Sequence, residues 1–268
     1  MYQNHPFFEY PQNDARIWRY MDLEKFFWLL EHSALYFCRL DRLPDRFEGA
    51  WSKPTFKAIT ADYEDFAKRH GVTEEAVQRV LRDTNYFHFA TWAQFAVNCW
   101  TINEHESATM WQSYVKSGMG VAVESSSERL AACLNGSPDW LIHIGKVRYA
   151  DYATEEFPLP NSPDRALFPC LYKRLFFRDE RELRIVVRKP LEPRVGRDGR
   201  RLWHAQPLSD HVQIPVRLGT LIARVVVAPG AELEVFQRID SAMRDAGFCG
   251  GPSRSSLDED PFTPQERR

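Results

Sequence analysis

The sequence predicts an α+β fold: a mixed, mainly antiparallel twisted sheet with flanking helices and a helical insertion. Short runs rich in β-branched and aromatic residues recur along the chain, among them LYFC (35–38), VAVE (121–124), ELRIVVR (182–188) and LIARVVVA (221–228). Between them lie segments whose apolar residues keep helical spacing, as in LEKFFWLLEHS (23–33). No internal repeat, low-complexity block or clear linker interrupts the series, so one domain over residues 1–268 is expected.

Residues 1–15 are polar and proline-punctuated and read as a surface arm. A short strand over 16–21 (RIWRYM) leads to Asp22, a good N-cap for the first helix, in which Leu23, Phe26, Phe27 and Leu30 line one face. The strand over 35–38 delivers the chain to the loop DRLPDRFEG (41–49). That loop carries Asp45 and Glu48 beside Gly49, which permits a sharp turn. The helical insertion spans about 54–95, with amphipathic segments at 64–70 and 74–83 separated by Gly71 and re-capped by Thr73. Tyr86, Phe87, Phe89, Trp92 and Phe95 read as core ahead of a buried strand over 96–101.

A helix over 107–117 presents Met110, Trp111 and Tyr114 on one side and stops at Gly118 and Gly120. A strand over 121–124, a helix over 125–135 and a strand over 140–149 follow. Residues 154–164 hold three prolines and form a loop long enough for a lid or a surface tie. A helix over 166–177 is expected to feed the strand over 182–188. VGRDGRR (195–201) is a hairpin turn, followed by strands at 202–206 and 212–217. The apolar run 221–228 makes a central strand, and Pro229-Gly230 turns into a helix over 232–246. The tail, from about 251 to 268, is expected to fray apart from a short strand near 254–257.

Composition excludes several classes. Hydrophobic residues at 44% and aromatics at 13% make the chain globular, and eight Trp with eighteen Phe imply an aromatic interior or pocket. With 35 basic against 37 acidic residues, bulk electrostatic binding to duplex nucleic acid is not expected. The five cysteines are scattered without a C-x-x-C pair. They give neither a disulfide framework nor a zinc cluster and suit a reducing cytoplasm. No signal peptide is evident and no run of 18 apolar residues exists, so a cytoplasmic protein without a membrane span is expected.

Chemistry concentrates in CLYKRLFFRDERELRIVVRKP (170–190). Side chains two apart on a strand share a face, so Glu180 and Glu182 are expected side by side. Lys173, Arg174, Arg178, Arg181 and Arg184 crowd them. Paired carboxylates among cations suit acid/base or oxocarbenium chemistry, because one stays ionised while its neighbours tune the other. The plainer reading is an exposed, salt-bridged strand start, since charge runs are usually solvated faces. Two further readings stay open. Asp45, Glu48, Glu180 and Glu182 with Lys173 or Lys189 would suit a Mg²⁺-dependent nuclease. The basic residues alone would suit a non-catalytic phosphate or nucleotide sensor. The histidines have no metal-ligand spacing, and nucleophile-elbow, Walker and dinucleotide-binding motifs are missing.

The segments WRYM, LYFCRLDRLPDRFEG, CWTINEHESATMWQSYVKSGMGVAVES, YKRLFFRDERELRIVV, VVVAPGAE and SSLDEDPF, in that order, resemble the bacterial domain-of-unknown-function family 2971. The most specific parts are the DRFEG loop, the TMW-x-x-Y helix before a Gly-Val strand, and the E-x-E-x-R strand start. The resemblance covers nearly the whole chain and implies no reaction. It does imply a setting near mobile-element and defence genes, hence a role as an antiphage defence or toxin effector.

A remoter resemblance is to ADP-ribosyltransferases. It implies NAD as substrate, no metal, and a protein or nucleic-acid acceptor. Arg19 would pair the pyrophosphate. Glu182 would hold the nicotinamide ribose and stabilise the oxocarbenium-like transition state, and Glu180 would orient the acceptor. Tyr36 or Tyr114 would stack on the nicotinamide, with Trp111, Lys173 and Arg184 also in contact with the ligand. Arg19, Tyr114 and Glu182 would then line one cleft.

Overall fold

A computed structural model describes residues 4–79, 81, 92–116, 118–134, 138–158, 163–190, 192–195, 201–204 and 207–260. In chain order the elements are β1 (Arg16–Asp22), α1 (Leu23–His32), β2 (Ala34–Arg39), α2 (Lys53–His70) and α3 (residues 74–79). Then come β3 (Ala96–Ile102), α4 (Ala108–Tyr114), β4 (Gly120–Ser126), α5 (Ser127–Leu134), β5 (Leu141–Lys146), β6 (Arg148–Ala150), β7 (Tyr172–Arg174) and β8 (Glu182–Arg188). The chain closes with β9 (Glu192–Val195), β10 (Arg201–His204), β11 (His211–Pro215), α6 (Leu218–Leu221), β12 (Arg224–Val227), α7 (Leu233–Asp245) and β13 (Ser253–Arg254). Helices beside mixed, mainly antiparallel strand pairing make this the expected α+β fold. The chain groups into two compact units.

The first unit comprises 1–11, 36–99 and 134–214. Its sheet runs β11–β2–β3–β8–β5, with β5 and β8 antiparallel in the register Ile142↔Val187, Ile144↔Ile185 and Lys146↔Leu183. Every residue of β8 from Glu182 to Val187 is buried. Val186 packs with Phe8, Leu40, Phe95, Val97, Cys170 and Leu171. At Gly145 a Cβ would come within 3.0 Å of Phe8, so the missing side chain lets the N-terminal arm lie against β5. The helical insertion opens on α2, capped by Ser52 and closed by Gly71 in the left-handed region at φ 63°. It is one 18-residue helix, longer than the 64–70 segment that amphipathic spacing marks. Trp92 and Phe95 pack in the core as expected, while Tyr86, Phe87 and Phe89 lie outside the described residues. β9 and β10 pair antiparallel as a hairpin would.

The helix expected over 166–177 does not form. Pro163–Leu171 and Leu175–Glu180 are 3₁₀ turns on either side of β7, and Pro169 inside the first of them forbids a regular α-helical ladder. β7 runs parallel to β6 with Tyr149 opposite Lys173.

The second unit comprises 12–35, 100–133 and 215–268. Trp100–Ile102 of β3, then β1, β4, β12 and β13, lie in sheet order. β1 and β4 are antiparallel along their full length, from Arg16↔Ser126 to Asp22↔Gly120. Asp22 caps α1 by accepting from the Lys25 amide, 2.9 Å away. Trp18, Tyr20, Met110, Trp111, Ala122 and Val226 share one apolar cluster. Gly120 is required by a close approach, because a Cβ there would sit 2.5 Å from the Met21 carbonyl oxygen. The 221–228 run is shorter as a strand than expected: Leu218–Leu221 turn as helix and only Arg224–Val227 are extended. The short strand expected near 254–257 forms slightly earlier, as β13 parallel to β12, and a 3₁₀ turn over Ser256–Asp258 follows it.

Candidate functional site

The first unit holds a buried ion cluster built from three places in the chain. Alternation along β8 puts Glu182 and Arg184 on one face. β7 supplies Lys173, and the loop before α2 supplies Glu48. Arg184 is fully buried and Glu182 is 3% exposed. The Arg184 Nε donates to Glu182 Oε1 at 2.5 Å and its Nη2 to Oε2 at 3.0 Å. The remaining arm, Nη1, donates to Glu48 Oε2 and to the Cys170 carbonyl, both at 2.8 Å. Planar bidentate pairing is the geometry in which a guanidinium is strongest.

Lys173 completes the cluster. Its Nζ lies 2.6 Å from Glu180 Oε2, 3.3 Å from Glu182 Oε2 and 3.5 Å from Glu48 Oε1. Tyr149 closes the strand end, its hydroxyl accepting from the Glu182 amide at 2.8 Å. Beside the cluster Arg174 pairs with Asp45, Nε to Oδ2 at 3.0 Å and Nη2 to Oδ1 at 2.9 Å.

Three carboxylates share two cations, which leaves one negative charge uncompensated within the cluster. Burial works against the Glu182 carboxylate, but Arg184 and Lys173 outweigh it and hold its pKa down at about 2. Burial also raises Glu180, and Lys173, already shared with Glu182 and Glu48, does not offset it; the pKa of Glu180 ends above the ordinary value. Lys173 and Arg184 stay charged, since burial is overcome first by Glu182 and then by Glu48. Burial and the nearby Glu182 carboxylate push the Cys99 thiol well above its usual range, so it is inert as a nucleophile at neutral pH.

Glu180 and Glu182 do meet, but not as neighbours on one strand. Glu180 ends a 3₁₀ turn, Arg181 sits in the left-handed region at φ 43°, and the strand begins only at Glu182. Lys173, reaching both, brings the carboxylates together. The stretch is a solvated charged face only in part: Arg178, Asp179 and Arg181 are exposed, while Lys173, Glu182 and Arg184 are buried. The Mg²⁺ cage proposed on Asp45, Glu48, Glu180 and Glu182 is filled by protein cations: Lys173 stands among the three glutamates and Arg174 holds Asp45.

Of the remaining candidates, Tyr36 belongs to the first unit, where it is 41% exposed and stacks on His211 with ring centroids 5.1 Å apart. Arg19, Trp111 and Tyr114 belong to the second. Arg19 is half-buried on β1 opposite Val123. Trp111 is core, edge-on to Tyr20, whereas Tyr114 is 46% exposed.

The second unit has a polar cluster that the sequence does not announce. The Glu106 carboxylate accepts from Ser255 Oγ at 2.6 Å, from the Ser256 amide at 2.6 Å and hydroxyl at 2.5 Å, and from Trp111 Nε1 at 2.8 Å. Burial opposes ionisation there, but the Ser255, Ser256 and Trp111 hydrogen bonds outweigh it and keep Glu106 below the usual carboxylate range. Its serine partners lie some 150 positions along the chain, beyond the reach of any local pattern.

Compared with protein-family models, curated proteins and solved structures, the chain matches none. Among the described residues no helix is long and apolar enough to cross a membrane, and no group of three or more His, Cys, Asp or Glu is placed to hold a metal ion.

Proposed function

We propose that this chain is an enzyme acting on a nucleotide-type ligand, with ADP-ribosyl transfer from NAD as the reaction, and that it belongs with family 2971. The observation that carries the reading is the division of labour between two carboxylates on one lysine. Glu182 is fixed as an anion, while Glu180, more exposed and raised in pKa, can gain and lose a proton. Environments that push two acids apart in this way are what acid/base chemistry requires.

In the proposed reaction the bond from ribose C1′ to the nicotinamide nitrogen breaks, its electron pair leaving with nicotinamide, and positive charge develops on the ribose. The net negative cluster stabilises that charge. Glu180 takes the proton that the acceptor hydroxyl or amine releases as it attacks C1′. Glu182 then has a supporting role: both its oxygens are engaged by Arg184 and Lys173, so it positions Lys173 and, through it, Glu180. Membership of family 2971 is supported by two of its most specific segments meeting in the cluster, Glu48 of DRFEG bonding Arg184 of E-x-E-x-R. A defence or toxin role follows from that resemblance.

A second reading, a non-catalytic nucleotide or phosphate sensor, is supported by Arg178 and Arg181, exposed on either side of Glu180, and not by Arg184, whose three nitrogens are all bonded within the protein. Incubation with NAD and a candidate acceptor separates the two. Nicotinamide release that is lost in Glu180→Gln supports the enzyme, and NAD binding without release supports the sensor.

A further inference from the structure

Beside the cluster, the first unit exposes large aromatic side chains where burial would be expected. Phe176, on the 3₁₀ turn that ends at Glu180, is 86% exposed, and Phe47, in the loop that supplies Glu48, is 42% exposed. Both rings face one cation: the Arg174 guanidinium lies 4.7 Å from the Phe47 centroid and 5.8 Å from that of Phe176. Asp45 holds that guanidinium in place.

We propose that Phe47 and Phe176, with the Arg174 guanidinium that both rings face, form a stacking site for the flat heteroaromatic ring of a nucleotide. This rests on the nucleotide-ligand reading above and adds to it the place and the part of the ligand that is gripped. An aromatic ring in the ligand is what the surface selects: two phenyl rings and a planar guanidinium accept a further flat group by stacking. Glu180, which follows Phe176 on the same turn, puts the reactive carboxylate on the element that carries one wall of the site.

Calorimetric titration of the full chain with AMP, nicotinamide mononucleotide and ribose 5-phosphate tests this without requiring turnover. At least one ring-bearing nucleotide should bind while ribose 5-phosphate does not. Phe176→Ala, which removes an exposed side chain, should weaken binding roughly 5- to 100-fold, the loss of one base–aromatic stack. Phe176→Trp should restore it. Ribose 5-phosphate binding as tightly as the nucleotides, no binding by any probe, or unchanged affinity in Phe176→Ala would each overturn the proposal. Nicotinamide release from NAD with an unaltered KM in Phe176→Ala would leave the transferase standing and remove this site. Ring binding that depends on Phe176, without NAD cleavage, would do the reverse.

Discussion

Arg184 and Glu182, two residues apart on β8, form a bidentate pair with neither side chain more than 3% exposed. Such a pair is held by its surroundings: Glu48 and the Cys170 carbonyl occupy the third guanidinium nitrogen. Removing one member therefore costs more than the pair contributes, because it strands the other charge in the interior. Arg184→Ala should lower unfolding free energy by about 3–5 kcal/mol, measured by urea denaturation. A loss under about 1 kcal/mol would show that the pair is hydrated.

Acid should act through the same residue. The Glu182 pKa in the folded chain, about 2, lies below the ordinary 4.5, so its contribution is complete above pH 4.5 and is lost as pH falls from there towards 2. The amount is on the order of 3 kcal/mol. Glu180, raised in the folded state, has the opposite sign: its proton is bound more tightly by the fold, so acidification through its range does not destabilise. Urea midpoints measured from pH 7 to 2.5 should hold steady to about 4.5 and then drop. In Glu182→Gln the drop should be much smaller.

Arg181 joins the two carboxylates in a left-handed conformation that an L-residue adopts at a cost of roughly 1–2 kcal/mol. Its own side chain is exposed. Arg181→Gly should therefore raise the thermal midpoint slightly, by up to about 1 kcal/mol of stability after the entropy of the added glycine is counted. A clear loss of stability would mean that the Arg181 side chain holds the turn.

The ordered tail depends on one carboxylate. Hydrogen bonds to a charged acceptor are worth about 1.5–3 kcal/mol each, and Glu106 accepts three from Ser255 and Ser256. Glu106→Gln should expose residues 253–258 to proteolysis or amide exchange while leaving α7 protected. Equal protection in wild type and variant would place the hold on the tail in the β12–β13 pairing instead.

What the sequence disclosed follows the range of the interactions. β8 was legible because period-two alternation and a closing Lys-Pro pair are local, and the same alternation put Glu182 and Arg184 on one face. The break at Arg181 was not legible: within a charged run nothing distinguishes a left-handed arginine from an extended one. Glu48 was visible as a carboxylate near a glycine, yet its pairing with Arg184 spans 136 positions and Glu106 reaches across 150. The 3₁₀ turns around β7 read as a helix because Leu, Phe and Tyr spacing resembles one, and Pro169 was the local signal against it.

The most direct test is an NMR titration of the glutamate side-chain carboxyls in ¹³C-labelled protein, assigned with Glu180→Gln and Glu182→Gln. Glu182 should remain ionised until about pH 2, and Glu180 should titrate above the ordinary glutamate value. Both carboxyls titrating together near 4.5, or Glu182 titrating above Glu180, would contradict the assignment of a fixed anion and a working acid.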